Sequence, residues 1–432
     1  MPNADVRAVP TVSRVCTDTM IELVYDRAQR TTALVVSRFR GLWNIEQEVV
    51  VETGERLVPY PADNNLIAHD CVLLPSEPVP HGAKEELIAD IEAFLHRHVD
   101  LSPVFERLAA HYVLLTWLYD AFSELPYLRL RGDYGTGKTR GLLAIGSLCY
   151  KPFFAAGAST VSPIFHTLDR FGGTLILDEA DFRFSDATTD LVKIFNNGTV
   201  KGLPVLRTIA NRNKEFNPAA FRVFGPKIIA MRGSFADEAL ESRFLTEETG
   251  TRPLRDDIPL HLSQTLETEA LMLRNRLLHF RLSTFFSTKL DPSLAAVELD
   301  PRLNQITLPL LSLVDDPELR GQIQDLLRQQ QRQSALHRSH TLEGRVLQAA
   351  LESLAEVKGT AAVPIQAVAD RLNRTWRVET GHAVSARRVG SVLRGHFKVD
   401  TRKTHGSYVI ASSERSKLEQ LSIRYGVANP DR

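Results

Sequence analysis

Cysteine is scarce in this chain: Cys16, Cys71 and Cys149 are the only three among 432 residues. They lie far apart, form no Cys-x-x-Cys pair and are odd in number, so neither a disulfide framework nor a zinc ribbon is suggested. No charge of one sign dominates, because 52 Lys and Arg balance 52 Asp and Glu. Global basicity therefore gives no argument for a nucleic-acid partner, and any such surface has to be local. Long apolar runs are missing too. The most apolar stretch, His111 to Phe122, is too short and too interrupted to span a bilayer. The first residues show no basic start leading into a long apolar run. These absences suggest a protein of the reducing cytoplasm without a membrane partner. With 43% hydrophobic and 24% charged residues the composition is that of a soluble globular protein. At roughly 100 to 200 residues per domain, the length suggests two to four units.

What is present is patterned. Met20–Tyr25, Thr32–Ser37 and Glu48–Glu52 are β-branched runs between polar turns, which predict a small β-rich N-terminal unit. After Pro75, Pro78 and Pro80 the period becomes helical, with Leu87, Ile91, Phe94 and Leu95 on one face and a second helix from about Pro103 to Ser123. From Tyr127 to about Phe244 strands and helices alternate, the signature of a mostly parallel sheet covered by helices. Strands fit Tyr127–Arg131, Phe153–Ala156, Thr174–Asp178 and Lys227–Met231, and helices fit Lys138–Tyr150, Ser162–Phe171 and Thr188–Asn196. A helical region follows, with Leu260–Phe286 expected to be continuous. From Thr341 the order is helix, helix, helix and two strands, Phe397–Thr401 and Ser407–Ala411, joined by the turn Arg402–Gly406. That is the winged helix-turn-helix order.

The chemistry concentrates at Gly132-Asp-Tyr-Gly-Thr-Gly-Lys-Thr139, which has the full phosphate-loop spacing between a strand and a helix. Gly132, Gly135, Thr136 and Gly137 let backbone amides turn toward phosphates at a helix N-terminus. Lys138 is expected to reach the β- and γ-phosphates of ATP, and the Thr139 hydroxyl to ligate Mg2+. Downstream, Thr174–Asp181 is a buried-type strand ending in acids: Asp178 would hold Mg2+, and Glu179 would orient and deprotonate the attacking water. Asp181 fits a helix cap as well as a site.

These residues resemble the AAA+ ATPases, in particular the helicase-like ATPases of mobile elements and phages and the minichromosome maintenance helicases. The resemblance spans roughly Glu86 to Ala411 and rests on Gly132–Thr139, Leu177–Ala180 and Glu241-Ser-Arg-Phe244. It implies an α/β phosphate-loop core with a helical lid, assembled as a homo-oligomeric ring, expected to be a hexamer, in which Arg243 acts as a finger in the next subunit's ATP site. By the same resemblance, the tip of the strand at Pro226–Arg232 would carry a first sensor, with Arg232 or Ser234 open as the residue. Arg302 would be either a second sensor or a helix-start arginine. A basic insertion, Asn197–Gly202 followed by Arg207, Arg212, Lys214 and Arg222, sits where relatives carry a channel hairpin, and reads equally as a solvated loop.

Between Arg371 and Lys403 nine Arg and Lys face two acids, Glu379 and Asp400. Arg387, Arg388 and Arg394 fall on the third helix of the winged-helix order and Arg402, Lys403 and His405 on the wing, making them candidate DNA contacts. The expected domains are a β-rich unit (1–82), a helical connector (83–125), an AAA+ core (126–258), a lid (259–338), a winged helix (339–412) and a tail (413–432). The expected activity is that of a DNA helicase-like motor serving replication of a mobile element or phage. The rivals are a nucleotide-controlled DNA-binding switch without unwinding and a nucleotide-gated assembly scaffold.

Overall fold

The computed structural model describes residues 8–38, 42–157, 159–178, 186–210, 216–235, 237–262, 265–357, 362–404 and 406–427. The chain divides into two compact units, Met1–Asp325 and Leu326–Arg432.

The first unit opens with β1 (Ala8–Thr11), β2 (Ser13–Val15), β3 (Thr19–Asp26), β4 (Thr31–Arg38), β5 (Trp43–Glu46), β6 (Val49–Val50) and β7 (Arg56–Pro59). They form an antiparallel sheet ordered β2-β3-β4-β5 and a smaller sheet ordered β1-β7-β6. The β-branched runs lie in β3 and β4, where Ile21 opposes Val36 and Leu23 opposes Leu34 on a shared buried face. Helix α1 (Asn65–Ala68) is capped by the Asn64 side chain, which accepts from the Leu66 amide. Helices α2 (Lys84–His98) and α3 (Pro103–Leu118) follow, and the apolar face read from the spacing of α2 is buried.

The chain then lays down β8 (Tyr127–Arg131), α4 (Lys138–Leu148), β9 (Phe153–Ala156), α5 (Val161–Phe171), β10 (Leu175–Asp178), α6 (Asp186–Asn197), the hairpin β11 (Val205–Ala210) and β12 (Phe216–Phe221), β13 (Lys227–Met231), α7 (Glu238–Glu241) and β14 (Phe244–Glu248). Five of these strands form a wholly parallel sheet ordered β14-β8-β13-β10-β9. Strand alternation assigns the two faces. On β10, Leu175 and Leu177 join one apolar cluster with Ile164, Phe165, Ile194 and Phe195 of α5 and α6. Ile176 points the other way, against α4, so closely that a Cβ on Gly146 would meet it at 3.1 Å. The cluster on the α5 and α6 side also contains Ile21, Leu23, Leu34, Val36 and Leu57, so the N-terminal strands and the parallel sheet share one core.

Helices α8 (Leu266–Thr284), α9 (Pro301–Leu311) and α10 (Pro317–His340) complete the helical part; α10 begins in the first unit and ends in the second. The helix expected from Leu260 starts only at Leu266. Pro259 and Leu260 offer their carbonyls to the Arg140 guanidinium at 2.5 and 2.9 Å, so those acceptors serve a side chain rather than a helical ladder.

A buried ionic cluster ties four segments of this unit together. Glu22 of β3 and Arg281 of α8 are 1% and 0% exposed. The Glu22 carboxylate accepts from Lys151 Nζ at 2.8 Å, Arg281 Nε at 2.8 Å and Tyr150 Oη at 2.8 Å. Arg281 continues to Asp120, beyond the end of α3, through bonds of 2.6 and 2.7 Å. Burial works against ionisation of Glu22, but the adjacent Lys151 and Arg281 cations overcome it and hold the carboxyl down at about 2.

The second unit contains the end of α10, then α11 (Leu342–Ala355), β15 (Val363–Pro364), α12 (Ile365–Thr380), α13 (Ala386–Ser391), β16 (Thr401–Thr404), β17 (Ser407–Ile410) and α14 (Arg415–Tyr425). Its sheet is ordered β15-β17-β16. Val346, Leu372, Val389, Leu393, Phe397 and Ile410 share its core with Leu418 and Tyr425 of α14, which lies in the segment expected to be a tail. The strand expected at Phe397–Thr401 begins only at Thr401. The Phe397 and Val399 amides bond back to Val392 and Leu393, and Lys398 takes a left-handed φ of 55°, so the chain is still leaving the helix. Arg402 and Lys403 therefore lie within β16 rather than in the turn. Among the described residues no helix is long and apolar enough to cross a membrane.

Candidate nucleotide-binding site

The loop between β8 and α4 leaves the carboxyl edge of the parallel sheet. Gly135 and Gly137 have φ of 72° and 83°, conformations that glycine adopts without strain. Gly132 is needed for a different reason: a Cβ there would meet the Thr249 carbonyl oxygen at 2.4 Å. The Thr136 hydroxyl lies 2.8 Å from the Asp133 carbonyl and 2.8 Å from the Thr249 hydroxyl, so the residue after β14 braces the loop. Lys138 Nζ donates to the carbonyls of Gly132 at 2.7 Å and Asp133 at 2.5 Å, lying along the loop's inner edge. Lys138 begins α4, whose own first turn has no acid, so the positive end of the helix dipole faces the loop.

Thr139 Oγ1 donates to Asp178 Oδ2 at 2.7 Å. A hydroxyl at the start of α4 thus meets the carboxylate at the end of β10, two strands away from β8 across β13. Glu179 and Asp181 lie outside the described residues.

Around this centre are residues that sequence reading did not connect. Tyr134, within the loop, is 79% exposed and carries the Arg232 guanidinium 4.3 Å above its ring. Arg131 donates to Glu248 at 2.9 Å and to Ser234 at 2.5 Å, so both residues held open as a first sensor already have partners beside the loop. Burial opposes ionisation of Glu241, yet its pairing with Arg129 at 2.7 Å keeps it below the ordinary carboxylate range. Thr249 is 113 residues from Thr136. Only the parallel pairing of β14 with β8 brings the two together, and no local pattern announces it.

Arg243 sits elsewhere. Phe244 is paired with Tyr127, so Arg243 lies at the amino ends of the strands while the loop lies at their carboxyl ends. Rather than projecting from the protein, it is 7% exposed and donates to Asn196 Oδ1, to the Ala239 carbonyl at 2.7 Å and to Thr199 Oγ1 at 3.3 Å. Burial, and then the nearby Arg302 cation, lower its pKa. Arg302 is exposed and reaches the same Ala239 carbonyl at 3.5 Å, placing it beside Arg243 and not beside the loop.

In the second unit Arg387 and Arg388 project from α13, Arg394 from the turn after it, and Arg402 and Lys403 from β16, all exposed. No carboxylate among the described residues pairs with these five cations. Arg371 differs: it is engaged by Glu352 at 3.4 Å and by Glu356, and so drops out of the open basic face. His405, Arg212 and Lys214 lie outside the described residues.

A parallel sheet, a glycine loop entering a helix and a hydroxyl-carboxylate pair beside it are the parts of a phosphate-loop nucleotide-binding fold. No protein-family model matches the chain, and no curated protein matches it. Among solved structures it is similar to the NrS-1 C-terminal region at 13% identity, covering 90% of this chain and 96% of that one with a TM-score of 0.39. It is also similar to SCCmec type IV Cch, an active helicase, at 12% identity, with 95% and 96% covered and a TM-score of 0.35. The ORC1 protein of Aeropyrum pernix in complex with DNA aligns at 14% identity over 78% and 96%, with a TM-score of 0.22. Likenesses this loose carry no argument, and the functional reading rests on the site itself.

Proposed function

We propose that the chain is an AAA+-like ATPase that binds ATP with Mg2+ at Gly132–Thr139, hydrolyses it and couples the hydrolysis to DNA as a helicase-like ring. The observation that carries this reading is the 2.7 Å contact between Thr139 and Asp178 at the mouth of the loop. A hydroxyl and a carboxylate are the hard oxygen donors that suit Mg2+, so the pair fits the ion. Bound there, Mg2+ would neutralise charge on the phosphate oxygens. The chain's own groups do the rest. Loop amides and the start of α4 hold the phosphates. Lys138 exchanges two neutral carbonyl acceptors for charged phosphate oxygens, a stronger charge-assisted bond. Glu179, next in sequence to Asp178, is assigned as the base that orients water.

The second unit is proposed as a winged-helix DNA-binding module, with Arg387, Arg388, Arg394, Arg402 and Lys403 on the phosphate backbone. Its support is five exposed cations in a chain of zero net charge. The resemblance in sequence adds the homo-oligomeric ring and a role in replicating a mobile element or phage. The same resemblance assigns Arg243 as a finger serving another copy; here it lies at the far end of the strands from its own loop and would first have to leave three internal acceptors.

Nucleotide affinity and turnover test the core of the proposal. Lys138→Ala is expected to abolish ATP binding. Glu179→Gln is expected to keep binding and lose turnover by roughly 100-fold or more; full turnover in that variant removes the base assignment. For the ring, folded Arg243→Ala and Lys138→Ala proteins are mixed while their subunits exchange. Returning ATPase activity supports a shared site, and activity of an isolated monomer at high dilution counts against it.

A further inference from the structure

The hairpin of β16 and β17 displays an aromatic ring that its own core does not use. Val409 and Ile410 are buried, whereas Tyr408 is 50% exposed. The Arg394 guanidinium lies 5.0 Å from its ring centroid. That arginine donates to Thr401 Oγ1 at 3.2 Å and passes so close to Gly390 that a Cβ there would meet its Nη1 and Nη2 at 3.0 Å. The cross-strand neighbour of Tyr408 is Lys403, with Arg402 next along β16. The hairpin therefore offers a π-face flanked by two cations, Arg394 against the ring and Lys403 directly across the ladder, while Arg402 shares the opposite face with Val409.

Cations alone suit any phosphate backbone, and duplex DNA offers backbone on its outside. The face of an exposed ring, as distinct from its hydroxyl, is used where a base is unstacked, because paired bases keep their faces inside the helix. From this we infer that the second unit takes single-stranded DNA, with Tyr408 stacking on an unpaired base while Lys403 holds the adjoining phosphate. Arg394 backs the ring and fixes its orientation. This rests on the reading of the second unit as a DNA-binding module and names its substrate class.

The test measures affinities of the full chain for an oligothymidylate and for a blunt duplex of equal length. Tyr408→Ala is expected to weaken single-strand binding about tenfold or more, the scale of one lost base stack, and to leave duplex binding unchanged. Tyr408→Phe retains the ring and is expected to bind the single strand like the parent. Equal loss on both ligands, or none on either, overturns the stacking assignment. Failure of Tyr408→Phe to rescue also overturns it, since the hydroxyl would then be the active group. If the parent binds neither ligand, the DNA reading of this unit falls and the stacking assignment falls with it. Parent binding with an unaltered Tyr408→Ala profile removes the stacking assignment alone.

Discussion

Two assemblies of charge in this molecule have opposite constructions. The cluster of Glu22, Lys151 and Arg281 is buried, with Asp120 at its partly exposed edge, and its charges answer one another across four segments of chain. The face formed by Arg387, Arg388, Arg394, Arg402 and Lys403 is wet and unanswered by carboxylates among the described residues. Charge satisfied inside the fold is spent on architecture. Cations left outward without a partner are available to a ligand, and the phosphate loop follows the same rule, with Lys138 resting on weak carbonyl acceptors. Removing an inner charge should therefore appear in stability, and removing an outer one only in binding or turnover.

The largest effect is expected inside. Glu22→Ala leaves two cations in the interior with Asp120 alone, and a broken buried pair costs about 3 to 5 kcal/mol, read as a fall in denaturation midpoint. The pH dependence has a fixed sign. Glu22 titrates at about 2 in the folded chain against an ordinary 4.5, so its contribution is complete above 4.5 and is lost as pH falls toward 2. Acid unfolding of Glu22→Gln should lose that component. Next in size is the outward site: Asp178→Asn is expected to cut turnover by roughly 100-fold with an unchanged melting temperature. A fall in melting temperature as large as that of Glu22→Ala would erase the distinction. Third, replacing Arg387, Arg388, Arg402 and Lys403 by alanine should flatten the salt dependence of DNA affinity by about 0.9 in log-log slope per lost duplex contact, leaving DNA-free turnover intact. An unchanged slope would move the DNA surface to another part of the chain.

An effect of comparable size to the first sharpens the comparison from an intermediate case. Lys227 is buried with two carbonyl acceptors at 2.9 Å, and burial pushes it down to about 7 from an ordinary 10.5. Between those values the unfolded chain holds the proton and the folded one does not, so stability rises with pH across that window. Lys227→Met should remove the rise, which denaturant titrations at pH 7 and pH 10 would measure.

Local pattern revealed much of this architecture. The strands at Tyr127–Arg131, Phe153–Ala156 and Lys227–Met231, and the loop with its Lys138 and Thr139, are where spacing and β-branching put them. What pattern could not reveal depends on distant pairing. Arg281 and Glu22 are 259 residues apart, and each alone reads as an ordinary surface charge. Glu241-Ser-Arg-Phe244 reads as a finger, but only the fold reveals that Asn196 and Thr199 close over Arg243. Leu260 reads as the start of a helix because nothing nearby announces that Arg140 will take its carbonyl and that of Pro259.

The reach of Arg281 bears on how the chain can be divided. A fragment starting at Lys84 would retain the phosphate loop, the parallel sheet and α8, and by motif alone would look like a complete nucleotide-binding piece. It would lack Glu22, leaving the buried Lys151 and Arg281 with Asp120 alone, and would lay bare the apolar cluster that Ile21, Leu34 and Leu57 complete. The opening strands behave less like an appended module than like a plug cast with the phosphate-loop part. A fragment that keeps this cluster whole has to begin ahead of Ser13, whose hydroxyl also donates to Glu22.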